Sequence, residues 1–172
     1  MKKKLLIAVL GVVILCVGGF FLWNYLFAES PETQIRRTFQ ELSTTVGKNG
    51  KEGLIVAMEK ARDAAAFFDD VCTLKLDRVP HGVGAMSRQN ITANTLTLRN
   101  YFQTMKITFY DMEIFVEKDN PEALVTFTAV FEGNPASSGR PVKETKEMDA
   151  GLVRKEDRWL LKSLAFRDVI RK

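Results

Sequence analysis

The residues able to carry chemistry in this chain are few and scattered. His81 is its one histidine, and a proton carrier working near neutral pH would have to be His81 or a carboxyl group with a displaced pKa. It stands between Pro80 and Gly82, with no acidic or nucleophilic neighbour to assign it a role. Asp111 and Glu113 fall on one side of a segment with strand character, where a solvated edge is the plainer reading. Tyr101 and Trp159 could offer an O–H and an N–H to a ligand, yet both border apolar stripes and would serve equally as core. One histidine and one cysteine, Cys72, outside the N-terminal apolar run cannot assemble a zinc or thiolate cluster. Gly82, Val83 and Gly84 lack the strand-to-helix setting of a phosphate cradle, and a Ser, His, Asp triad cannot be placed around His81. No catalytic residue, metal ligand or cofactor site is assigned, and the sequence discloses no specific activity.

Charge narrows the partners. The chain has 25 Lys and Arg against 21 Asp and Glu, for a net +4. Lys2, Lys3 and Lys4 precede the apolar run, and without them the balance is 22 against 21. The basic character therefore belongs to the N-terminus, and nucleic acid, which needs a clustered basic face on the domain, is excluded as a partner. Cys16 lies in the apolar run and Cys72 in the domain, so no disulfide forms within the domain. Cys72 reads as a small buried hydrophobe.

Residues 5–27 are apolar except for Asn24, with Trp23 and Tyr25 near the far end. About 20 apolar residues span a bilayer as a helix. Basic residues hold the cytoplasmic side and aromatic residues the interface. Residues 1–28 therefore read as a single-pass anchor, with the N-terminus cytoplasmic and the domain, 29–172, periplasmic or extracellular. A cleaved signal peptide would place the cut after Ala28, but the apolar run is too long for one and Leu26 is a poor residue three before a cut.

The domain opens with helical signals. Ser30, Pro31 and Glu32 form a start, and Ile35, Phe39, Leu42 and Val46 make one stripe that stops at Gly47. A second helix is expected over 51–69 with Leu54, Met58, Ala61, Ala65 and Phe68 on its buried face. A short strand over 71–76 follows, then a loop over 77–86 broken by Pro80, Gly82 and Gly84. Ser87 caps a third helix, about 88–102, with Ile91, Leu98 and Phe102 inward and Arg88, Gln89, Arg99 and Gln103 solvated. Four strand-like segments then succeed one another over 106–117, 123–131, 142–154 and 159–168. The clearest is 123–131, where Ala123, Val125, Phe127, Ala129 and Phe131 share one side. The first alternates poorly, which fits either two partly covered faces or a bulge. Glu156, Asp157 and Arg158 turn the chain into the last, although a two-residue turn would prefer Gly at Arg158.

Several local stretches carry a likeness to a known family. Ala65, Ala66, Phe67, Phe68 resembles the helix end before the first strand of nuclear transport factor 2-like proteins, which include the SnoaL-like and ketosteroid-isomerase-like groups. Ser87 to Ile91 resembles the helix start after the loop, Asp119 to Val125 the acidic turn and Ala-x-Val strand, and Lys155 to Leu161 the closing Lys-x-Asp-Gly-x-Trp-x-Ile hairpin, with Arg158 where that hairpin has Gly. The resemblance covers about 31–172. It implies an α+β, cone-shaped, cystatin-like fold, in which three helices pack on a strongly curved antiparallel sheet around a pocket. Phe68, His81, Tyr101, Phe127 and Trp159 are the candidate pocket residues. The inward wall is almost wholly apolar, which favours a non-catalytic module that binds an apolar small molecule or a protein partner. The alternative is an isomerase- or dehydratase-type pocket enzyme acting on an apolar substrate. Homodimerisation through the sheet face is a further expectation from folds of this kind.

Overall fold

The computed structural model describes residues 29–75, 83–117, 120–137 and 139–167. The residue contacts group the chain into two units, Met1–Ser30 and Pro31–Lys172. The expected membrane span, 5–27, and His81 lie outside the described residues. Among the described residues no helix is long and apolar enough to cross a membrane.

Among the described residues of the larger unit are three helices and seven strands. Helix α1 spans Pro31–Val46 and β1 Lys48–Asn49. Helix α2 spans Leu54–Ala65, β2 Phe68–Lys75 and β3 Val83–Ser87. Helix α3, Arg88–Tyr101, leads into β4, Phe102–Val116, then β5, Glu122–Pro135, β6, Val142–Lys155, and β7, Arg158–Phe166. The strands form one sheet in the order β1-β4-β5-β6-β7-β2-β3.

Helix α1 buries Ile35, Phe39 and Leu42 as its spacing predicts. It lies along β4, where Arg36 donates to the Met112 carbonyl at 3.1 Å and Ser43 to that of Ile107. These bonds satisfy carbonyls on an edge of the sheet that β1 covers only at Thr104 and Met105. β1 itself follows from Gly50, whose φ of 109° is open to glycine and which donates to the Gln103 carbonyl. The long strands β4 to β7 form an antiparallel meander, and β5 turns Ala123, Val125, Phe127 and Ala129 into the core.

The structure corrects four expectations. The sheet is mixed, because β2 runs parallel to β7, with Phe68 beside Leu161 and Thr73 beside Ser163. Side-chain alternation is the same for either strand direction, so the pattern could not show this. The loop over 77–86 in fact contains β3, whose residues 83–87 pair back onto β2. Helix α2 is shorter than 51–69, because Phe68 already belongs to β2. Its buried face is only partly the expected one: Ala61 and Ala65 are buried as expected, together with Ala57 and Ala64, while Leu54 and Met58 are exposed. Small residues facing α3 let the two helices approach closely. Helix α3 buries Arg99 and exposes Leu98.

Two irregularities have simple causes. Asp111 has φ 49°, and the β4–β5 register shifts between Tyr110 and Glu113. This is the bulge that explains the poor alternation of β4. In the last hairpin Lys155 pairs directly with Arg158, and Glu156 takes the positive φ, 55°. Arg158 is thus a strand residue, and glycine is not needed there.

Candidate functional site

The interior face of the sheet is built from Val125, Phe127, Ala150, Leu152, Trp159 and Leu161, all nearly inaccessible, with α1 laid across it. Phe39 enters from α1 and meets the rings of Phe109 and Phe127 at 5.1 and 5.0 Å, both edge to face. Phe109 and Phe127 also meet each other, at 5.4 Å. Edge-to-face pairs add about 0.5 to 1.5 kcal/mol each beyond the area they bury. This part of the cone is a packed aromatic wall.

The candidate pocket residues separate accordingly. Phe127 and Trp159 belong to the main cluster, and half-buried Phe68 packs against both it and a second cluster formed by Ala65, Cys72 and Ile91. Tyr101 lies apart, 56% exposed and edge to face with Phe102 at 4.8 Å. His81 lies outside the described residues. Trp159 has one unusual property: its Nε1–H is buried and has no acceptor among the described residues. A buried donor in that condition costs about 1 to 3 kcal/mol unless a ligand or an ordered water supplies the acceptor.

Charge near the core is held away from proton chemistry. The buried polar residues among those described are Arg99 and Thr126. Arg99 makes a two-pronged contact with Glu52, Nε to Oε1 at 2.8 Å and Nη2 to Oε2 at 2.6 Å. Its Nη1 donates to the carbonyls of Thr45 and Val46 at 3.1 and 2.9 Å. The guanidinium thus caps the C-terminal end of α1, where carbonyls have no partner within the helix. Lys48 does the reciprocal service for α3, donating to the carbonyls of Arg99 and Phe102. Little of Arg99 remains to meet a ligand.

The hydrogen bond from Arg99 holds the Glu52 carboxyl below its ordinary range. That from Lys155 does the same for Asp69 at the start of β2. A general acid or base working at neutral pH needs a carboxyl displaced upward, so these two are displaced the wrong way. Asp111 and Glu113 are exposed. They border a shallow groove of about 240 Å³ on the sheet with Glu147 and Arg167. Cys72 is fully buried, and burial pushes its thiol up to about 11. It is inert packing, as its sequence setting suggests.

Lys48, Glu52 and Arg99 are the structurally decisive charges that the sequence reading missed. The only signal was the four-residue spacing of Lys48 and Glu52 across a glycine-rich turn. Nothing local marked Arg99, because its partners lie about fifty residues away in sequence.

No protein-family model matches the chain, and no curated protein matches it. Solved structures do. A Novosphingobium aromaticivorans protein assigned as a scytalone dehydratase superposes with a TM-score of 0.64 at 14% identity, over 79% of this chain and 82% of its own. ActVI-ORFA from Streptomyces coelicolor gives 0.56 at 15% identity, over 79% and 95%. A hexachlorocyclohexane dehydrochlorinase, LinA type 2, gives 0.56 at 9% identity, over 79% and 83%. At these identities the likeness establishes the fold. The domain has the cone-shaped α+β architecture of the nuclear transport factor 2-like proteins.

Proposed function

We propose that the chain is a single-pass membrane protein whose cone-shaped domain lies outside the cytoplasm and binds an apolar small molecule without transforming it. The observation that carries this reading is the buried Trp159 Nε1–H, a donor without an acceptor among the described residues, set in an otherwise apolar wall. The wall is packed against α1, so a greasy ligand would enter by displacing that helix from it, and one donor suits a single carbonyl or hydroxyl oxygen on the ligand. The downward displacement of Glu52 and Asp69 supports binding over catalysis. Residues 5–27 support the anchor.

The test is to purify the full chain in detergent, extract it with organic solvent and identify what leaves it by mass spectrometry. A stoichiometric apolar compound bearing an oxygen acceptor, lost in Trp159→Phe, is the expected result. A wild-type chain that carries no such compound, and whose melting temperature equals that of Trp159→Phe, overturns the reading.

A second reading has an observation of its own. Among the fold's solved relatives are a protein assigned as a dehydratase and a dehydrochlorinase, so an elimination- or isomerisation-type enzyme acting on an apolar substrate is the alternative. Turnover of such a substrate by the purified chain would decide for it.

A further inference from the structure

Ten large apolar side chains remain exposed among the described residues, and six of them are on two helices: Leu54, Ile55, Val56 and Met58 on α2, and Leu98 and Tyr101 on α3. The exposures are high, 74% for Ile55 and 64% for Leu54. The Glu52–Arg99 contact brings the start of α2 beside the last turn of α3, so these side chains gather at one end of the helix pair. Exposed apolar clusters of this kind mark interaction surfaces. Helix formation explains neither Ile55 nor Val56, because the buried face of α2 is made by its alanines.

The sequence offers an occupant. The apolar run ends at Phe27 and α1 begins at Pro31, so only Ala28, Glu29 and Ser30 intervene. Three extended residues reach roughly 10 Å. A domain on so short a tether cannot leave the bilayer, and some face of it must rest among the headgroups at high effective concentration. The surface best made for that place has aliphatic side chains on a helix, a tyrosine beside them and exposed Lys51, Lys60 and Arg62 close by, with Glu59 and Asp63 offsetting part of the charge. Helix α1, about 24 Å long by its sixteen residues, separates the tether from this end. Its outward side is polar and exposed at Arg37, Gln40, Glu41 and Thr44, which suits a helix lying along a headgroup layer.

We infer that the exposed apolar end of the α2–α3 pair is a membrane-contact surface, which seats the domain on the bilayer that its own N-terminal run enters. This rests on the anchor reading above. It gives the protein a fixed orientation and would place an apolar ligand's source, the lipid phase, directly beside the domain.

The test uses the full chain carrying Cys16→Ser, reconstituted in vesicles of phosphatidylethanolamine and phosphatidylglycerol. A nitrobenzoxadiazole label is placed at Ile55→Cys or, for comparison, at Glu144→Cys on exposed β6; Cys72 is buried and stays unlabelled. Both sites are on the surface, so folding is retained. The expected result is that nitroxide-bearing lipids quench the Ile55 label several-fold more than the Glu144 label. Equal quenching in a chain that floats with the vesicles overturns the inference and leaves the anchor standing. A blue-shifted Ile55 label that lipid nitroxides do not reach assigns the surface to a protein or a second copy, and also overturns it. A chain that does not float removes the anchor and this surface together.

Discussion

Arg99→Met tests whether the buried charge network is what joins the helical layer. The substitution keeps an unbranched apolar stem and removes the guanidinium, which is 2% exposed and bonded to Glu52 and to the end of α1. Breaking a buried ion pair by removing one partner costs about 3 to 5 kcal/mol. Glu52 retains Lys48 at 3.8 Å and some exposure, 13% of its side chain, so the lower figure, about 3 kcal/mol, applies. The Thr45 and Val46 carbonyls each lose a charged donor, which adds roughly 0.5 to 1 kcal/mol apiece. The sum, about 4 to 5 kcal/mol, is a large part of the roughly 5 to 15 kcal/mol that holds a domain folded. At about 3 °C per kcal/mol for a domain of this size, the melting temperature should fall by roughly 12 to 15 °C.

Circular dichroism of the full chain in detergent, followed through heat and urea unfolding, reads this directly. Arg99→Met combined with Glu52→Gln should lose less than the two singles together, by at least about 1 kcal/mol, because the charge that each strands is gone. The pH dependence gives an independent sign. The Glu52 carboxyl in the folded protein is held below its ordinary value of 4.5, first by the Arg99 hydrogen bond. The unfolded chain therefore takes up this proton first. The stability it contributes is present above pH 4.5 and is lost as pH falls below that value through the folded pKa. In Arg99→Met that acid loss should shrink. An Arg99→Met protein within about 1 kcal/mol of the parent, or strictly additive singles, refutes the argument.

Three other outcomes follow from the packing. Phe127→Ala should cost about 3 to 5 kcal/mol in urea unfolding, since it opens a cavity and removes two ring contacts; a loss under about 1 kcal/mol would mean that the wall is not close-packed. Gly133→Ala would set a methyl 2.7 Å from the Phe102 ring, which Tyr101 and Phe131 flank. It should cost about 1 to 3 kcal/mol and be relieved by Phe102→Leu. Cys72, with its thiol pushed up to about 11, should resist iodoacetamide at mildly alkaline pH until urea is added, as read by peptide mapping; reaction at the rate of a free cysteine would show that the second cluster opens. Because this folded pKa is raised, stability linked to Cys72 is present below its ordinary value of 9.0 and is lost as pH climbs through about 11.

Much of the architecture was legible because its causes are local. The stripe of Ile35, Phe39 and Leu42 needs only the helical period, and the alternation of Ala123, Val125, Phe127 and Ala129 only the pleat. Ser87 does cap α3, accepting a hydrogen bond from the Asn90 amide. The poor alternation of β4 fitted two covered faces or a bulge, and the structure has the bulge. Helix α2 misled in part, because Leu54 and Met58 share a helical stripe with Ala61 and Ala65 as convincing as the stripe that Ala57 and Ala64 complete and that is buried. Which of two stripes turns inward depends on how near α3 must come, and no window of sequence contains that distance.

The candidate site was legible in character and not in composition. An apolar inner wall follows from the identity of the β5 and β6 residues, and Trp159 was marked by its place in the last hairpin. That its indole N–H is left without an acceptor, and that Tyr101 faces outward onto Phe102, depend on packing from other parts of the chain.

The sequence by itself determined the helices α1 and α3, the strand faces of the meander, the apolar lining and the N-terminal run, because each rests on periodicity or composition within a few turns of chain. Only the tertiary structure decided that β2 lies parallel to β7, that residues 83–87 form a strand, and that Arg99, which looks like a solvated helix charge, is the buried link between α1, α2 and α3. Those outcomes turn on pairing with other segments, β2 for residues 83–87 and partners about fifty to ninety residues away for the others, whose distance and direction leave no mark on the segment itself.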